Sequence, residues 1–274
     1  MTAYLSFEWL KFSKRWMPRI IVALLIGLII VGFWGQATRV MGRGNLFLPR
    51  GWLAALSFSA FFAPFFWPVL GGSWAGNEYG WGTIRAVLTR RPNRIEHVMA
   101  ALLVLIGGTA VGILAILAAG TVGGILASAV TGNSVWVSGL LSGTFLSDLA
   151  KGFLTAWYVS AFYLVLAYTM ATIFRSAVVG VAVGVGGTLA QYILQKIFND
   201  LGGVWTNIAN HFPVVYTQDM ITRVVGGELI PGSNLASVGP NAPSAGQSVL
   251  ALAIYGAIAL ALMLVAVRVR DVTA

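Results

Sequence analysis

Apolar residues in this chain gather into long uncharged runs instead of alternating in twos, and the runs have the length a membrane-crossing helix needs. A helix spans ~30 Å of hydrocarbon with about 20 residues. By that measure the first run covers residues 20 to 35, extendable through Gln36 to Thr38, with Pro18 suited to its first turn. The second covers residues 52 to 74 and carries Pro64 and Pro68, each of which removes a backbone donor and favours a bend. A third begins at Val98, a fourth covers 152 to 174, a fifth 176 to 194 and a sixth 248 to 267. Only Arg175 stands between the fourth and fifth, so that turn must be tight.

The stretch from Val98 to Ser147 has no charged residue and fits either one long helix with an outer segment or two spans. The seventeen basic residues divide eleven to six under both topologies, so the positive-inside rule does not fix the count. Residues 131 to 147 are rich in Ser, Gly and Thr, which suits an outer segment. Six spans, with both termini cytoplasmic, is the expectation. Residues 1 to 19 form a helix with Leu5, Trp9, Phe12 and Trp16 on one stripe, while Glu8, Lys11 and Arg15 lie on other faces. Such a helix lies along the inner leaflet, anchored by its tryptophans; packing against protein is the alternative. No small-x-small cleavage site follows Trp34, so the segment reads as retained and not as a secretory signal.

Residues 195 to 247 are too long for a mere connector. Their first half has helical apolar spacing and their second half, PGSNLASVGPNAPSAG, is turn-rich, giving short external helices followed by an irregular stretch. The fold class expected is therefore an all-α integral membrane protein, one transmembrane domain over residues 1 to 274.

Composition agrees, at 58% hydrophobic and only 9% charged. The net charge of +9 sits in short runs beside apolar spans, which suits membrane flanks and not nucleic acid. With no cysteine there is no thiolate metal or redox chemistry. No G-x-x-x-x-G-K-[ST], H-E-x-x-H or G-x-S-x-G occurs, so no catalytic residue is assigned and no P-loop binds ATP here. His97 and His211 fall on opposite faces under six spans, so no metal site is assigned. No Asp, Glu, Lys or Arg lies inside the runs, which disfavours an ion-coupled secondary carrier.

Between the second and third runs lies a charged island, NEYGWGTIRAVLTRRPNRIEHV, with an apolar stripe of Ile84, Val87, Leu88 and Ile95. Pro92 ends its helix near Arg90, and Asn93 can cap the next. The order Glu78, Gly82, Thr83, Arg85, Leu88, Thr89 and Arg94, running into a long apolar span, resembles the cytoplasmic coupling segment of type-2 ABC exporter permeases. The resemblance is most specific over residues 77 to 98 and looser over the rest of the chain. It implies that residues 77 to 97 dock on a separate ABC ATPase subunit, which binds the ATP and Mg, and that a second permease copy completes the transporter in the cell membrane. The ordinary alternative is a solvated loop. A membrane sensor or assembly subunit, or a secondary carrier, remain the competing functions.

Two further sets are weaker. Phe58, Phe61, Phe62, Phe65 and Phe66 share a broad face of the second span, and with Gln191 offer a pathway for an apolar or lipid-like substrate; lipid exposure or packing is the alternative. Tyr158, Tyr163, Tyr168, Thr169 and Thr172 read as glue between helices or as a partly polar lining. Gly180, Gly184 and Gly187 suggest a subunit interface, whereas Gly108/Gly112 and Gly120/Gly124 suggest packing within the chain.

Overall fold

A computed structural model describes residues 2–37, 48–82, 93–131, 143–225 and 243–269. Every described element is helical: α1 Thr2–Lys14, α2 Trp16–Ala37, α3 Arg50–Gly80, α4 Arg94–Thr131, α5 Gly143–Phe174, α6 Ala177–Leu201, α7 Val204–Ala209, α8 Pro213–Val225 and α9 Ala245–Val269. Six of them, α2 to α6 and α9, are long and apolar enough to cross a membrane, and the chain is a multi-pass membrane protein.

The described part of the ambiguous region after Val98 belongs to one helix, Arg94–Thr131, of 38 residues and about 57 Å at 1.5 Å per residue, and so holds one span among the described residues. Asn93 starts it as expected: its Oδ1 accepts the Glu96 N–H at 3.2 Å and its Nδ2 donates to Glu96 Oε1 at 2.9 Å. The tight turn also holds. Arg175 takes φ 53°, and Ser176 Oγ accepts the Val179 N–H to start α6.

The helices bury very different fractions of themselves. α2 buries a single stripe, Ile21, Leu25, Ile29 and Phe33, at spacing four, and packs it on α4. α3 is the centre of the bundle: it packs on α5 most extensively and on α4 and the first turns of α6, with Trp67, Leu70 and Trp74 fully buried. Pro64 and Pro68 lie inside α3 without ending it.

The region after Leu194 differs from expectation. α6 runs on to Leu201 and stops at Gly202 and Gly203, both at positive φ. α7 and α8 then form, the helices expected from the first half of the stretch, and α8 is packed into the bundle. It is packed among α3, α5 and α9 and buries Val214, Tyr216, Thr217, Met220 and Ile221, with Tyr163 and Thr217 hydroxyls 3.1 Å apart. The apolar spacing that marked it as helical was the stripe it buries. The turn-rich stretch 226 to 242 lies outside the described residues.

Candidate functional site

At the end of the bundle where α3 stops and α4 starts, four polar side chains from three helices meet out of solvent. Glu8 and Lys11 come from α1, Glu78 from α3 and His97 from α4. Glu8 is fully buried; its Oε2 accepts Trp74 Nε1–H at 3.0 Å and Lys11 Nζ–H at 3.0 Å, and its Oε1 accepts from Lys11 at 3.1 Å. Lys11 also pairs with Glu78. His97 Nε2 lies 3.0 Å from Glu78 Oε2, an acceptor when ionised, so Nε2 carries the proton. Its other ring nitrogen, Nδ1, has no hydrogen-bond partner among the described residues and stands 4.0 Å from Glu8 Oε1.

Aromatic rings close the centre. Tyr4 lies 5.8 Å from the His97 ring, and Lys11 and Arg15 sit 4.7 and 4.6 Å over Trp74. The Tyr168 hydroxyl donates to the Val98 carbonyl at 3.0 Å, tying α5 to the first turns of α4.

The burial follows from how α1 is wound. Tyr4, Glu8 and Lys11 fall at spacings of four and three and form the inward face; Phe12 beside them packs on Gly108 of α4. The expected membrane stripe is on the outside at Trp9 and Trp16, 49% and 73% exposed, with Leu5 half-buried. The alternative, packing against protein, thus holds for the inward face, which Phe12 of the expected stripe joins. The expectation placed Glu8 and Lys11 away from the anchoring stripe, but they are packed against protein.

Glu8, Glu78 and His97 bring three ligand atoms within 4.8 Å of one another, a set that could hold a metal ion. The Lys11 ammonium touches both carboxylates, so a side chain already supplies the cation. The chemistry this centre supports is a charge-paired clamp on three helices.

Of the expected coupling residues, Glu78, Gly82 and Arg94 are described; Thr83, Arg85, Leu88 and Thr89 lie outside the described residues. Glu78 is only 7% exposed, paired with Lys11 and His97 of its own chain. Gly82, at φ 67°, lies two residues past the end of α3, where Trp81 and Gly82 N–H groups close on Asn77 and Tyr79 carbonyls. Arg94 is the first residue of α4.

The pathway residues are less coherent. Phe61, Phe62 and Phe65 are half-buried on α3, with Phe61 edge-on to Phe62 at 5.1 Å and Phe62 packed against the main core. Gln191 Oε1 accepts the Val214 N–H at 3.2 Å, satisfying one of the free donors at the start of α8. That is a positioning role within the chain. Tyr158 and Tyr163 likewise bond across helices, to the Val249 carbonyl and to Thr217.

Gly180 and Gly184 do not face a partner. A Cβ at Gly180 would lie 2.5 Å from Ala171 Cβ and 2.9 Å from Gly72 Cα; one at Gly184 would lie 2.4 Å from Pro68 Cβ. They let α6 approach α3 and α5 closely, so the subunit-interface expectation is corrected at these two positions. Gly187 faces open space.

Sequence reasoning named Glu78 and missed Glu8, Lys11, Trp74 and His97. One signal was present: Tyr4, Glu8 and Lys11 fall at spacings of four and three and so share a face of α1 on which an acid and a base can pair. No protein-family model matches the chain, and no curated protein matches it in sequence.

Proposed function

We propose that this chain is the permease subunit of an ABC exporter, working with a second permease subunit and separate ATPase subunits that bind ATP and Mg. The observation that carries the reading is the clamp beside the island. Residues 81 to 93 leave α3 three residues after Glu78 and enter α4 four residues before His97; α1 grips the α3 end through Lys11–Glu78 and Glu8–Trp74, and Glu78 in turn holds His97 of α4. A push on the segment between them is therefore delivered to three helices together. To move a two-state bundle from 1:99 to 99:1 the motor must favour one state by about 5.5 kcal/mol. Buried ion pairs shared by the moving parts can transmit a differential of that size.

Copurification in mild detergent tests the reading. A P-loop ATPase should accompany the chain, and replacing Arg85 with Ala should weaken that association or uncouple ATP hydrolysis from transport. Recovery of the chain with no ATPase under conditions that preserve its fold would remove the proposal. A proton-coupled carrier is the second reading, because His97 Nδ1, without a hydrogen-bond partner among the described residues and near a buried carboxylate, is the kind of group a proton relay uses. Solute flux driven by a pH gradient in vesicles holding this chain alone would favour it.

A further inference from the structure

At the opposite end of the bundle, α5, α8 and α9 line an open-sided cavity of about 520 Å3, within the usual range for a ligand pocket. Its walls are apolar, from Leu154, Trp157, Met220 and Val249 among others; its charged groups are Asp148, Lys151 and Arg223. α5 is 32 residues, about 48 Å, against ~30 Å of hydrocarbon, so its first turns, carrying Asp148 and Lys151, stand at headgroup level. The cavity therefore runs from the polar boundary into the apolar layer.

The polar end is built. Asp219, buried, accepts Arg223 Nε–H through Oδ1 at 2.9 Å and Oδ2 at 3.0 Å, and also takes the Ser248 hydroxyl at 2.8 Å. Arg223 Nη2 donates to the Pro243 carbonyl at 2.6 Å, which leaves Nη1 without a partner among the described residues. Lys151 Nζ stands 3.6 Å from Asp148, too far for a hydrogen bond, and both are more than half exposed. Each cation thus has a neighbouring carboxylate, and the four charges sum to zero. A lone anion or a lone cation would leave this balance unmet. A headgroup carrying one charge of each sign would meet it, phosphate toward Arg223 and Lys151, ammonium toward Asp148, with an acyl chain along Leu154, Trp157 and Met220.

We propose that this cavity is a binding site for a zwitterionic phospholipid of the surrounding membrane. It requires the membrane-spanning fold and is independent of the ABC reading. The test uses the full chain in nanodiscs of phosphatidylethanolamine and phosphatidylglycerol, with one or the other brominated in mid-chain. Trp157 lines the site, and its share of the fluorescence is isolated by difference with Trp157→Phe. Brominated phosphatidylethanolamine should quench that share at equal mole fraction about threefold more effectively than brominated phosphatidylglycerol, a difference on the scale of exposed ion pairs. The Asp148→Asn/Lys151→Gln double variant changes two exposed side chains and should fold normally and lose the preference. Equal quenching in the wild type would make the cavity ordinary lipid-facing surface. A preference for phosphatidylglycerol, or a preference that survives the double variant, would also overturn the proposal.

Discussion

The two ends of this bundle carry similar charges in opposite circumstances. At one end Glu8, Lys11, Glu78 and His97 are brought together from three helices and withdrawn from solvent; at the other, Asp148 with Lys151 and Asp219 with Arg223 pair within single helices, three and four residues apart. Only Asp219 of the second group is deeply buried. Pairs made between distant segments hold those segments in one arrangement, because separating them strands a charge. Asp148 and Lys151 tie no distant segment, so their groups can meet something new, while Asp219 and Arg223 also reach Ser248 and Pro243 and stand between the two cases.

The sharpest way to break this comparison is Glu8→Ala. It leaves the Lys11 ammonium short of a partner and Trp74 Nε1 without an acceptor, and should lower stability by about 3–5 kcal/mol. Thermal unfolding in detergent reads it. A loss below about 1 kcal/mol, the range of exposed pairs, would mean that the centre clamps nothing. Asp219→Ala is intermediate, since Ser248 and Arg223 both lose an acceptor but Arg223 reaches solvent; a loss of about 1–3 kcal/mol is expected in the same measurement. The smallest effect belongs to Lys151→Ala, whose screened pair with Asp148 should change stability by no more than about 0.5 kcal/mol. A larger loss there would show that the two ends do not differ in kind.

What was legible in the sequence was whatever depends on neighbours along the chain. The places of the apolar runs, the Asn93 cap, the Arg175 turn and the helical spacing of residues 204 to 225 are all local, and the structure repeats them, with several helices longer than the runs that announced them. The clamp was hidden because it is not local. Glu8 meets Trp74 and Glu78 lies beside Lys11 across more than sixty residues, and no periodicity within α1 says which of its two faces turns inward. Gly180 and Gly184 failed for a related reason: a missing Cβ says that something comes close but not whether it belongs to the same chain. Gln191 was read for its polarity, when its partner is a backbone donor at a helix start that sequence alone does not place beside it.

α6 also winds a wide turn over Ala182–Gly186, between segments that follow the ordinary α spacing. A turn of this type accommodates one extra residue and so resets the angular phase of everything after it by about 100°. Winding that turn with ordinary α spacing at unchanged length would leave Gly180 seated against Ala171 and swing Gln191 about 100° away from Val214, whereas deleting one residue together with the wide turn would keep both contacts. The start of α8 is thus aimed by a miscount in the winding of α6.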